Sequence, residues 1–215
     1  MSNGVDVPGS TDEDMGMDVA RAAVILAEAH EQARHQLRIR YPVLFSIWGL
    51  MYLLGYGAIW LSVRGQHPYQ GPTPAALLAL TFIVAAAIAT TVVLVGRAVS
   101  GIGGSSAVRR RVYVLASLTG FVGLLTLEAA LDHAGASRGV LGVYGAAAPI
   151  LLTGLIYAVS SAIWLDWTVF GLGLWLMTVA AGSGFAGPVT VWAVDALAAG
   201  LAFLLMAAIG FGRRS

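Results

Sequence analysis

The chain has 215 residues, 58% hydrophobic and only 11% charged, and a mean hydropathy of +0.81 leaves too little polar surface for a soluble domain of this length. It has no cysteine and all twelve of its basic residues are arginine, which excludes disulfide frameworks, zinc-thiolate and iron–sulfur sites, cysteine nucleophiles, lysine Schiff bases and an amine-based phosphate loop. The net charge of +1 says little, but its distribution is informative: seven of eleven acids precede residue 40, whereas eight of twelve arginines come from residue 64 onward.

Residues 1–17 are acidic and lack the basic-then-apolar order of a secretory signal, so they read as a disordered tail. Residues 18–40 place Val19, Ala22, Ala23, Leu26, Ala33 and Leu37 near helical spacing, with charge running from Glu28 and Glu31 to Arg34, Arg38 and Arg40. This is expected to be an amphipathic interfacial helix whose basic end suits an anionic leaflet, and it is also the natural docking surface for a partner subunit.

From residue 41 the pattern becomes polytopic. About 20 apolar residues cross a bilayer core, and six segments reach that length: Pro42–Val63, Pro74–Val95, Val112–Leu131, Val140–Val159, Ile163–Ala181 and Val189–Phe211. Pro42, Pro74 and Pro188 fall at span starts, where a missing N–H costs nothing. A short connection at Ser160–Ser161 makes the fourth and fifth spans antiparallel neighbours. With a cytoplasmic N-terminus ten arginines lie inside and only Arg64 and Arg138 outside, so both termini are expected to be cytoplasmic. The predicted fold is therefore all-α, a plasma-membrane bundle of six transmembrane helices behind the interfacial helix. Several of the six tryptophans fall near span ends, where amphipathic rings favour the interface. Ala196 and Gly200 form a small-xxx-small pair, weak evidence for a homo-oligomer.

Only four carboxylates follow Arg40, and Glu128, Asp166 and Asp195 fall inside predicted spans. A charge at a helix centre costs about 2.5–3.5 kcal/mol on the insertion scale, so each asks for a reason. Asp166, in a Trp-Leu-Asp-Trp run, is explained by the helix dipole and an interfacial anchor. Glu128 and Asp195 both fall roughly 5–10 Å below the outer boundary, within reach of one vestibule. Asp132 follows Glu128 by four residues on the same helix face, and no arginine is expected at that depth. An unpaired buried carboxylate is then protonated, hydrogen-bonded or occupied by a cation. Glu128, Asp195 and Asp132 are therefore the candidate proton or cation site; the plain alternative makes Asp132 a solvated helix end and has Asp195 hydrogen-bonded to a neighbouring side chain.

Other motifs carry less. Glu128, Asp132, His133 and His67 offer metal-ligand types without a recognised spacing, so no metal is assigned, and nothing calls for a cofactor. Arg109, Arg110 and Arg111 read as a topology signal in contact with lipid phosphate, and nothing beyond that run suggests nucleic acid. Gly101, Gly103 and Gly104 lack the strand and the Gly-Lys-Ser/Thr of a nucleotide loop, and no Gly-x-Ser-x-Gly surrounds a serine.

The run from Leu155 through Trp164-Leu-Asp-Trp167 to Trp175, followed by Gly187-Pro188, Trp192 and Ala196–Gly200, resembles uncharacterised six-helix membrane proteins of high-GC Gram-positive bacteria, as does the Ala-, Glu- and Arg-rich lead-in helix. The resemblance implies a plasma-membrane bundle and carries no catalytic residue across. A lead-in helix, six spans and a cytoplasmic loop between spans two and three also look like the membrane subunit of type-2 ABC exporters, from which the glycine-rich 96–107 loop departs. The expected function is transport-related, as transporter or subunit. The alternatives are a scaffold or signalling partner acting through residues 18–40, and an intramembrane enzyme on a lipid or isoprenoid using its carboxylates as general acids.

Overall fold

The computed structural model describes residues 42–99, 105–164 and 166–212, with Arg21 and Val24 before them; the side chains of 98, 99, 105–107, 109, 110 and 162–164 are outside the described set. The chain divides into Met1–Arg40 and Tyr41–Ser215. In the first unit Arg21 and Val24 are helical and exposed; the tail at 1–17 and the partner surface expected at 18–40 otherwise lie outside the described residues.

Every described element of the second unit is helical, and five stretches are long and apolar enough to cross a membrane. The helices are α1 (Pro42–Val63), α2 (Pro74–Val99), α3 (Ser105–His133), α4 (Arg138–Trp164), α5 (Trp167–Ser183) and α6 (Gly187–Gly212). α5 and α6 belong to one apolar stretch of 46 residues, broken by a 3₁₀ turn at Gly184–Ala186 and by Gly187 at φ 86°. That left-handed backbone is open to glycine without steric cost and lets the chain reverse.

The sequence places the break between α4 and α5 too early. Ser160 and Ser161 are helical and buried, each satisfied by a carbonyl one turn back, so neither signals a loop inside an apolar helix. Asp166 sets the break instead. At φ −106°, ψ 98° it stands outside the helix, and its Oδ1 accepts from the N–H groups of Thr168 at 2.9 Å and Val169 at 3.3 Å, which makes it the N-cap of α5.

α6 is the central helix, packed by α1, α4 and α5; α2 leans on α1, and α3 on α4. Close glycine contacts set the register. A Cβ on Gly200 would meet Leu53 and stand 3.2 Å from the Gly49 carbonyl, while one on Gly210 would meet Pro42. The start of α1 and the end of α6 therefore share one face of the bundle, here the terminal end; the turns at 64–73, 134–137 and 184–186 share the other, the loop end. The Ala196–Gly200 pair is consumed within the chain: Ala196 is buried and Gly200 packs on Gly49, so the pair offers no surface to a second copy.

On α1 the buried positions Pro42, Phe45, Gly49, Tyr52, Tyr56, Ile59 and Val63 follow steps of three and four, and Met51 and Gly55 widen the stripe at the π-helical turn Tyr52–Tyr56. α3 shows only a half-buried stripe, Tyr113, Ser117, Gly120, Leu124, Glu128 and Leu131, against α4; its other described side chains are exposed, as are Leu78, Phe82 and Val92 on α2. Water would not tolerate apolar surface of this extent on a monomer, whereas hydrocarbon imposes no cost on it.

Candidate functional site

α6 carries a wide buried stripe of mostly small residues, Ala196, Ala199, Gly200 and Ala207, joined by Val191, Trp192 and Phe203, and Asp195 stands in the middle of it. Small residues let α1 and α5 approach closely, which encloses whatever else lies on that face. Asp195 is 0% exposed, and neither carboxylate oxygen has a hydrogen-bond partner. The Ser183 hydroxyl lies beside it but is directed at the Ala180 carbonyl, 3.3 Å away. Tyr52 and Tyr56 of α1 lie within electrostatic range. Their hydroxyls donate elsewhere, Tyr52 to Thr153 Oγ1 and Tyr56 to the Ala146 carbonyl, both at 3.4 Å.

One helical turn toward the loop end is Trp192. Its ring packs on Tyr56 at 5.4 Å between centroids, and its buried indole N–H is unpartnered. The 64–73 turn closes over it. Gln66 holds this turn from within: its Nε2 donates to the carbonyls of Ser62 and Gly71, and its Oε1 accepts from the N–H groups of Gln70 and Gly71. Tyr69 is thereby directed inward against Gly142, where a Cβ would collide with the phenol. The Tyr69 hydroxyl lies beside Trp192 yet completes no hydrogen bond; burial, with Glu128 also nearby, pushes the phenol above its ordinary range.

Glu128 joins this column from α3. It lies on the half-buried stripe, so it faces protein where most of its helix does not, and its Oε1 is 3.2 Å from the position of a Cβ on Gly145. The same Cβ would be 3.9 Å from Trp192 Cη2. Pro149, inside α4, removes the N–H that would bond the Gly145 carbonyl, and so opens the helical ladder at the turn where Glu128 rests. Tyr144 braces the seam by donating to the Leu124 carbonyl at 3.1 Å.

Two of the three candidate residues thus flank one aromatic column without touching: Trp192 stands between Glu128 and Asp195. Asp132 does not join them. It is exposed at the end of α3 and pairs with Arg138 at 3.7 Å, with side-chain exposures of 58% and 67%. The turn at 134–137 brings Arg138 back beside it. Among the described residues no group of three or more His, Asp or Glu side chains is placed to hold a metal ion. Arg111 is exposed, while the side chains of Arg109 and Arg110 lie outside the described residues.

The sequence reading passed over Tyr52, Tyr56, Tyr69 and Pro149. Tyr52 and Tyr56 were legible as hydroxyls four residues apart in an apolar span, and Pro149 as a helix-opening residue within another. Tyr69, in a turn, carried no signal.

Toward the terminal end the column is closed by rings. Tyr52 stacks on Phe203 at 5.5 Å, and Phe203 packs against Tyr157 at 5.7 Å and Phe45 at 6.1 Å. Fold and site together define a class: an all-helical chain with five stretches long and apolar enough to cross a membrane, enclosing a carboxylate in its central helix. Comparison with protein families, with curated proteins and with solved structures finds no match to this chain.

Proposed function

We propose that this is a plasma-membrane protein of six crossings with both termini cytoplasmic, and that it is transport-related, with Asp195 as the site at which a proton or cation binds. A 46-residue helix would extend about 69 Å, more than twice a hydrocarbon core of about 30 Å, so the break at Gly184–Gly187 favours two crossings over one. The contact of Gly210 with Pro42 supports placing both ends of the bundle on one side, and the arginine distribution favours the cytoplasm.

The observation that carries the functional reading is the enclosed, unpartnered carboxylate of Asp195. Such a group contributes nothing to packing that an apolar residue would not contribute better, and intramembrane acids of this kind mark ion and proton pathways. Glu128 reaches the same column beside Gly145. Asp132, paired and exposed, is left out of the site.

The test is flux in proteoliposomes carrying an internal pH dye, under an imposed membrane potential and under imposed cation gradients. Wild-type protein and Asp132→Asn are expected to take up protons or cations, and Asp195→Asn, correctly inserted, to lose that uptake. Equal flux through Asp195→Asn counts against the site, and no flux through the wild type counts against transport.

A further inference from the structure

The four buried side-chain polar atoms without a partner among the described residues are Tyr69 Oη, Trp192 Nε1 and the two oxygens of Asp195, and they follow one another from the loop end inward. Tyr69 belongs to the turn at the loop end, Trp192 lies beside it, and Asp195 is one turn deeper. Native interiors leave few such atoms, and four in a single column require an explanation. By helical rise Asp195 is about 12 Å from Gly187 and about 25 Å from Gly212, so the column starts at the nearer end. Past Asp195, Tyr52 still pairs with Thr153, and then Phe203, Tyr157 and Phe45 fill the section.

From this arrangement we infer that the ligand of Asp195 is a proton rather than a metal cation, and that it arrives from the loop end only, past Tyr69 and Glu128, in a half-path stopped by the Phe45–Tyr157–Phe203 rings. The inference rests on the carboxylate-site reading above and narrows it.

Oxygen supply decides against a metal ion. A dehydrated cation needs several oxygens, and membrane proteins that hold sodium provide them by unwinding a helix so that its carbonyls turn inward. α6 is continuous from Gly187 to Gly212, so the carbonyls around Asp195 are engaged in its own ladder. The hydroxyls at hand are few, Ser183 and Tyr56, whose protons point to the carbonyls of Ala180 and Ala146. One carboxylate with a single hydroxyl, that of Ser183, beside it falls short of the oxygen shell a dehydrated cation needs, whereas a proton needs one oxygen.

The groups facing Asp195 are few. α1 offers Tyr52 and Tyr56, α5 has no charged residue, and α4 has only Arg138, exposed at its end and paired with Asp132. Glu128 reaches the column beside Gly145, and Tyr69 caps it. Among the described residues no cationic side chain faces Asp195. Glu128 is half-buried and stands at the entrance, where water reaches it. It does not touch Asp195, so the proton is carried between them by water entering past Tyr69, and the net step is one O–H bond formed on Asp195 and one broken on that water's hydronium, with no other covalent change.

Infrared spectroscopy of the full chain in bilayers tests this, through the carbonyl stretch of a protonated carboxyl. A pH-dependent band absent from Asp195→Asn and unchanged by sodium, potassium or calcium chloride is expected. Loss of the band on adding sodium at constant pH overturns the proton assignment and leaves the carboxylate site standing; absence of any band that depends on Asp195 sinks both. Access is read from the deuteration shift of that band. Tyr69→Ala is expected to speed it severalfold, and so is Gly142→Ala, which dislodges the phenol from the opposite side, whereas Tyr69→Phe should match wild type. Acceleration by Phe203→Ala instead, or by neither cap variant, overturns the direction.

Discussion

The carboxylate of Glu128 rests against Gly145, 3.2 Å from where a Cβ on that glycine would stand. The pair explains how an acid tolerates a helix whose other faces are exposed and apolar. α3 contributes one narrow stripe to the bundle, and Glu128 is on it because glycine leaves its partner helix flat at that level. The contact also couples two otherwise remote helices, since Gly145 touches the level of Trp192 and Trp192 lies one turn from Asp195.

The tightest crossing lies between α4 and α5. A Cβ on Gly173 would stand 2.6 Å from the Ala158 nitrogen and 2.8 Å from the Gly154 carbonyl, both backbone atoms that cannot yield locally. Gly173→Ala is expected to cost about 1–3 kcal/mol by overpacking, read as a lower midpoint in denaturant unfolding. Gly171→Ala, two residues away with nothing within 4 Å, should be neutral or stabilising by about 0.5–1 kcal/mol. Equal losses at both positions would contradict the crossing.

Asp166 caps α5, so Asp166→Ala should lower stability by about 0.5–2 kcal/mol, while Asp166→Asn, whose side-chain oxygen also accepts from Thr168 and Val169, should retain most of it. Thermal unfolding of the two variants decides; identical behaviour would mean that the cap is not what holds this end of the helix.

Asp195 makes a different prediction. With only the Ser183 hydroxyl beside it, replacement by leucine removes a desolvated polar group and is expected to be neutral or stabilising, by up to about 1–3 kcal/mol, while abolishing flux. A large destabilisation would show instead that the carboxylate is structural.

Tyr69 sets an alkaline limit. Its folded phenol titrates above the ordinary tyrosine value of 10.0, chiefly through burial. A group raised in the folded state contributes stability that is fully present below the unfolded value and is lost as pH rises through the folded one. Unfolding followed between neutral and strongly alkaline pH should therefore show a shallower decline for Tyr69→Phe, which has no proton to lose, than for wild type; coincident curves would remove Tyr69 from the account.

Much of this was readable from local pattern. Apolar length set the helical stretches, and Asp195 stood out as an acid inside an apolar span. The break between α4 and α5 was misplaced because serines in hydrocarbon bond to their own helix and are not loop signals, as Ser160 and Ser161 show. The rescue of Asp132 by Arg138 depended on how the 134–137 turn folds, which spacing alone does not convey.

Hydropathy and period are properties of consecutive residues, so the chain alone determined an all-helical, bilayer-suited protein with few acids at unfavourable positions. Which face of each helix meets which neighbour is a property of packing. Only the tertiary structure decided that α6 is central, that Trp192 separates Glu128 from Asp195, and that a tyrosine from a surface turn closes the column, because each depends on close approaches between residues distant in sequence.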